Sequence, residues 1–209
     1  LAEFVYRVEC QKRPVATIIY KHYLFYTTTS EKSINTLMKI LCTGNPEHST
    51  IASGIKKLFL ESDFASRTTG YDLRLWDPDD EEHFKNNIVN YDVFINSSFI
   101  ANGAQQRLLE ITYDVWTVGH VFNIGSSAEY LGRDSFLPHY SAQKRSLRDL
   151  GLSMNNSNFR VTHITAGKLN DGKPENSLGL ELIKVAEVIK WVLDTGNNIP
   201  IIGLESWTN

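Results

Sequence analysis

Between residues 39 and 204, short apolar runs alternate with amphipathic stretches, a pattern that few folds satisfy. Runs at 39–43, 63–67, 71–73, 92–96, 120–124, 159–165 and 200–204 read as strands, and 51–61, 79–89, 104–113, 140–154 and 178–195 as helices. A crossover between parallel strands needs a helix-length connection, so this alternation predicts a parallel sheet covered by helices on both faces. The expected fold class is α/β, a doubly wound parallel sheet in three layers (α/β/α) forming a single domain. Asp79-Asp80-Glu81-Glu82 suits a helix N-terminus, where acidic side chains complement the macrodipole.

The chain has 209 residues, enough for one well-buried core and short for two. Residues 1–37 read differently from the rest: Thr17-Ile18-Ile19-Tyr20 and Tyr23-Leu24-Phe25-Tyr26 are β-prone and run into a polar Thr/Ser stretch. We read 1–37 as an N-terminal extension of uncertain role, with a hairpin or edge strand expected there. Residues 38–209, starting at Met38, form the domain. A formal charge of −3 and a pI near 6.1 give no broad basic surface, so neither nucleic acid nor a membrane is expected as a partner. Two cysteines, Cys10 and Cys42, are too few for a disulfide framework and fit free thiols in a cytoplasmic protein. No apolar run approaches the length of a membrane span, and the N-terminus lacks a secretory pattern.

In doubly wound sheets the ligand lies beyond the carboxyl ends of the strands. The first predicted strand ends at Thr43-Gly44, and Asn45-Pro46-Glu47-His48-Ser49-Thr50 leads into Ile51-Ala52-Ser53-Gly54-Ile55. Gly44 permits a tight turn, Ser49 or Thr50 can cap the helix, and the free amides of its first turn would face a pyrophosphate. The loop is longer than G-x-G-x-x-G and carries Ala52 where the last glycine would stand; alone it suits an ordinary capped strand–helix junction equally well. The second strand ends in Ser66-Arg67. An acidic residue there would hold the ribose 2′-OH of NAD, whereas arginine pairs with the 2′-phosphate of NADP, so NADP(H) is preferred. A competing register makes 71–76 the second strand, puts Asp77 at its end and points to NAD(H) instead. Arg67 as a solvated surface arginine is the plain alternative.

Tyr140-Ser141-Ala142-Gln143-Lys144 is a Y-x-x-x-K with small residues between. On a helix this spacing places both side chains on one face, where the ammonium favours the ionised phenol and fits it for proton exchange with a carbonyl or alcohol oxygen. Alone, the pair is equally a surface Tyr/Lys pair. Asn123-Ile124-Gly125-Ser126-Ser127 ends the preceding strand, with Ser126 and Ser127 standing 14 and 13 residues before Tyr140.

Five ordered motifs across residues 38–205 resemble the short-chain dehydrogenase/reductase family, of Rossmann-like fold. GNPEHSTIASGI, from Gly44 to Ile55, resembles the phosphate loop of its enoyl-acyl carrier protein reductase branch. The resemblance implies hydride transfer between NADP(H), or alternatively NAD(H), and a small-molecule carbonyl or alcohol substrate. Tyr140 would be acid/base, and Lys144 would lower its pKa and hold the nicotinamide ribose. A serine would orient the substrate oxygen; the motif favours Ser126, the spacing Ser127, and Ser126 is preferred. Asn102 would be the fourth catalytic residue. For the cofactor, the resemblance implies Gly44, Asn45, Ser49, Thr50, Ile51, Ser66, Arg67, Asp72 and Leu73 around the phosphates and adenosine. Asn96 and Ser97 would follow at the end of the next strand. Tyr140, Lys144, Ala166, Gly167 and Leu169 would surround the nicotinamide end. Phe99 stands where the family has a glycine, and Ala166 where it has a proline. A homodimer or homotetramer is implied by analogy, and the six histidines show no metal-ligand spacing.

Two other classes fit parts of the pattern. A non-catalytic dinucleotide-binding regulator would keep the phosphate loop without needing Ser126, Tyr140 and Lys144 together. A nucleotide-sugar epimerase or dehydratase shares Tyr and Lys, and Ser126-Ser127-Ala128-Glu129-Tyr130 resembles its S-S-A-x-x-Y, but that branch carries a long C-terminal substrate region. The segments 129–139 and 168–178, where the family reads its substrate, are both compact here.

Overall fold

The computed structural model describes residues 38–48, 50–74, 76–131 and 137–205. The extension at 1–37, with its expected hairpin, and Ser49 lie outside the described residues. In chain order the elements are β1 (Ile40–Thr43), α1 (Ile51–Leu58), β2 (Asp63–Ala65), α2 (Pro78–Ile88), β3 (Val93–Asn96), α3 (Ala104–Val115) and β4 (Gly119–Ile124). They continue as α4 (Pro138–Met154), β5 (Phe159–Ala166), β6 (Leu169–Asn170), β7 (Leu180–Glu181), α5 (Leu182–Thr195) and β8 (Ile201–Leu204).

Six strands form one sheet in the order β2-β1-β3-β4-β5-β8, all parallel. The chain winds outward from β1 to β2, crosses back to β3, and then winds the other way, so its direction reverses between β1 and β3. This is a doubly wound, three-layer α/β domain, as the sequence predicts. Because successive strand residues face opposite sides, Ile40 and Cys42 join one core with α1 and α5, while Leu41 and Phe94 join the other with α2, α3 and α4. Cys42 is a buried free thiol whose pKa burial pushes up to about 12. Helices α1 and α5 pack closely because position 54 is glycine: a Cβ there would lie 2.4 Å from the Leu182 carbonyl oxygen.

Three predicted elements differ. Residues 71–73 form no strand: Gly70 adopts a left-handed conformation, the Tyr71 amide bonds back to the Ser66 carbonyl, and Asp72 receives the Arg74 amide. Tyr71 and Leu73 are buried, so their apolarity anchors a turn rather than pairing a strand. This leaves β2 as the sheet edge and rules out the register with 71–76 as second strand. The helix expected over 178–195 begins only at Leu182, because 180–181 pair in parallel with 169–170. Gly179 permits that approach, since a Cβ there would meet the Leu169 carbonyl carbon at 2.6 Å. The helix expected over 51–61 stops at Leu58.

Candidate functional site

A cleft of about 720 Å³ opens at the reversal point between β1 and β3, within the size range of small-molecule sites. Its floor is a tied junction. Thr43 Oγ1 accepts the backbone amides of Ser97 (2.8 Å) and Ser98 (2.9 Å), and the Ser97 hydroxyl donates to the Thr43 carbonyl. Gly44 turns away from β1 at φ +124°, and a Cβ there would come within 3.2 Å of both Ala52 Cβ and Ser98 Oγ. Asn45, Thr50 and Ile51 line the cleft beside it.

Thr50 is the N-cap residue of α1, but its hydroxyl donates to the Asn45 carbonyl (3.2 Å) and caps no amide. The first turn of α1 contains no acidic residue. Among the described residues, neither a Thr50 cap nor an acidic side chain of the first turn offsets the partial positive charge of the first amides, the arrangement that receives a phosphate.

At the other end of the cleft, Ser66 and Arg67 follow β2, and both line it with Asp72, Leu73 and Arg74. Ser66 is tied up by Thr68 and Thr69, while the Arg67 side chain is exposed. Asp72 is gripped by Arg74 through two contacts, Nε to Oδ1 at 2.9 Å and Nη2 to Oδ2 at 2.6 Å. That guanidinium holds the Asp72 carboxyl down to about 2. Ser97 and Leu169 also line the cleft, whereas Asn96, Ala166 and Gly167 do not. Asn96 points into the core and donates to the Gln105 carbonyl (2.8 Å) and to Asn123 Oδ1 (3.1 Å). Ala166 is buried within β5, and the Gly167 amide bonds the Leu204 carbonyl at 2.7 Å.

Tyr140 and Lys144 lie one turn apart on α4, and the lysine Nζ sits 5.6 Å from the tyrosine ring centroid. Lys144 is only 3% exposed. Its ammonium donates to Gln105 Oε1 and to the Ile124 carbonyl, both at 2.7 Å. Burial pushes its pKa down to about 7, opposed by the charge of Glu129. Ser126 follows β4 and caps the short turn 127–130, its hydroxyl accepting the Ala128 amide at 3.3 Å. Neither Ser126, Tyr140 nor Lys144 lines the cleft. Between cleft and pair stands Phe99, whose ring meets Tyr140 edge-on at a 4.6 Å centroid distance. Asn102 is placed elsewhere: its side chain donates to the Leu73 carbonyl (3.0 Å) and accepts the Ala104 amide (3.1 Å).

Three features went unread in the sequence. Thr43 ties the cleft floor. Gln105, on α3, receives Lys144 and reaches the Asn96 carbonyl through its own Nε2 (2.7 Å). Glu129 is fully buried under the Ser126 loop, with His163 Nε2 at 2.8 Å and Thr165 Oγ1 at 2.5 Å. Burial pushes the Glu129 carboxyl up, but its bonds to His163 and Thr165 outweigh that and hold it below the usual carboxylate range. Gly125 packs directly on this pair, since a Cβ there would strike His163 Nε2 at 2.2 Å. Gln105 lies on α3, Glu129 in the turn after β4 and His163 inside β5, so no strand-end position marks them, and the partners that join them to the site are distant in sequence. Among the described residues, no three His, Cys, Asp or Glu side chains converge as a metal site requires, and no helix is long and apolar enough to cross a membrane.

No family profile matches the sequence, and no curated sequence matches it. The fold, however, is that of the short-chain dehydrogenase/reductases, shared with several solved structures. A glucose/ribitol dehydrogenase of this family from Brucella melitensis superposes with a TM-score of 0.61 at 14% identity, over 82% of this chain and 97% of that one. A short-chain dehydrogenase from Sphingobium yanoikuyae in complex with NADPH gives 0.61 at 15% identity, over 79% and 87%. The 3-alpha-hydroxysteroid dehydrogenase from Pseudomonas sp. B-0831 complexed with NADH gives 0.60 at 14%, over 79% and 94%. At these identities the likeness is one of fold.

Proposed function

We propose that the chain is an NAD(P)(H)-dependent oxidoreductase of the short-chain dehydrogenase kind, acting on a small carbonyl or alcohol in the cytoplasm. The observation that carries the reading is the Tyr140–Lys144 pair, one turn apart on α4 at the carboxyl ends of β4 and β5, with Ser126 on the adjoining loop. The cleft suits a dinucleotide at its phosphate end: Gly44 leaves room for close approach, and the first turn of α1 has no cap from Thr50 and no acid. Gly44, Asn45, Thr50 and Ile51 would hold the phosphates. Arg67 and Arg74 favour NADP(H), because both line the adenosine end and no acidic residue directly follows β2.

When bound, the nicotinamide supplies or accepts the hydride. Tyr140 passes the phenolic proton to the substrate oxygen in reduction and takes it back in oxidation. Lys144 stabilises the phenolate by its charge, and Ser126 orients the substrate oxygen. In this reading Gln105, rather than Asn102, positions Lys144, since it receives the ammonium directly. A homodimer or homotetramer belongs to the same proposal and is read by light scattering on the eluted protein.

The first test is equilibrium binding of NADPH and NADH, followed by fluorescence, to the wild type and to Arg67→Glu. Tight NADPH binding that the substitution weakens supports the reading, and carbonyl reduction lost in Tyr140→Phe completes it. Binding of neither nucleotide removes the oxidoreductase assignment. Nucleotide binding without turnover of any carbonyl or alcohol favours the second reading, a dinucleotide-binding regulator, for which the specific observation is Phe99 standing between cleft and pair.

A further inference from the structure

We propose that Phe99 is a gate that sorts ligands by length: with the ring in its observed place the cleft takes an adenine mononucleotide, and a dinucleotide binds only once the ring swings aside. The inference rests on the nucleotide reading of the cleft given above. The ring touches both compartments. It lines the cleft together with Ser98 and Ile100, and it packs edge-on against Tyr140, with planes inclined at 77°. The Lys144 ammonium sits 5.3 Å from the Phe99 centroid, so the ring also covers the charge it shields.

A ligand long enough to run from the first turn of α1 to the Tyr140 hydroxyl crosses the volume of this ring. A ligand confined to Gly44, Thr50, Ser66, Arg67 and Asp72 does not. The ring can move. It is 39% exposed, it belongs to neither β3 nor α3, and the edge contact with Tyr140 and the cation–π contact with Lys144 are individually weak. Its closed position therefore lowers dinucleotide affinity by the fraction of molecules in which the ring is open, while leaving mononucleotide affinity alone. Glycine at this position would leave nothing to displace, so the phenylalanine itself is the device.

The experiment is isothermal titration of wild type, Phe99→Ala and Phe99→Leu with NADPH and with adenosine 2′,5′-bisphosphate. The expected result is NADPH binding tightened about tenfold or more in Phe99→Ala, the factor for an open state populated to about 10% or less, with bisphosphate affinity unchanged. Phe99→Leu falls between the two for NADPH. Equal NADPH affinity in all three proteins, or weaker NADPH binding in Phe99→Ala, overturns the gate while the bisphosphate titration keeps the nucleotide reading standing. Binding of neither ligand to any of the three overturns both. Coincident thermal midpoints for the three proteins establish that the substituted chains are folded.

Discussion

Lys144 is a lysine buried almost completely in the protein. Burial brings its folded-state pKa to about 7, against about 10.4 for an ordinary lysine. Between those values the unfolded chain holds a proton that the folded chain lacks, so stability rises with pH across that window, at up to about 1.4 kcal/mol per pH unit. Below about pH 7 the folded state carries the buried charge and gains nothing further from acidification. Urea denaturation at pH values spanning 7 to 10 should show this slope in the wild type and its absence in Lys144→Met; identical slopes would contradict it. Glu129 presents the opposite case, a buried acceptor bonded to His163 and Thr165. Glu129→Ala leaves both partners buried and unpaired and should cost about 3 kcal/mol, while Glu129→Gln, which keeps a hydrogen-bonding oxygen, should cost distinctly less. Midpoints of urea unfolding decide between them.

At the scale of elements, α1 and α5 depend on glycine for contact and α2 depends on its cap. Gly54→Ala would drive a Cβ into the Leu182 carbonyl, a backbone atom that cannot rotate away, and should cost about 1–3 kcal/mol by denaturation. Asp77 accepts the amides of Asp79 and Asp80, both at 2.9 Å, so Asp77→Ala should cost about 1 kcal/mol. The elements were legible in the sequence wherever local pattern decides. The buried strands β1 and β3 read from their apolar runs, β4 and β5 from apolar and β-branched residues mixed with polar ones, and α2 from its acidic first turn. Local pattern failed where burial served something else. Tyr71 and Leu73 are apolar because they pin a turn under the cleft, and Leu180 because 180–181 pair with 169–170. The site divided the same way. Gly44, Thr50, Arg67, Tyr140 and Lys144 announce themselves by spacing or by position at a strand end. Thr43 acts through Ser98, Gln105 through Lys144 and Glu129 through His163, partners 34 to 55 residues away, a separation that no spacing rule reads.

For the molecule as a whole, the cleft lies on the seam of the fold. Thr43 bonds the end of β1 to the start of the segment after β3, and the chain reverses direction across that line. A ligand seated there contacts both halves, Gly44 and Asn45 on one side and Ser97 and Ser98 on the other, so it is bound by the intact sheet and by neither half alone. Binding that the folded state offers and the unfolded chain does not adds stability by mass action, about 2.7 kcal/mol at a ligand concentration of 100 Kd. For a chain of this size that corresponds to a rise of about 5–10 °C in Tm. NADPH should raise the single unfolding transition by that amount, seen as one shifted peak in differential scanning calorimetry. The same concentration should raise Arg67→Glu by less. Breaking the seam with Thr43→Val strands the two amides of Ser97 and Ser98, which should lower the ligand-free midpoint and shrink the NADPH shift together. A Thr43→Val protein that loses stability yet keeps the full shift would separate the seam from the site.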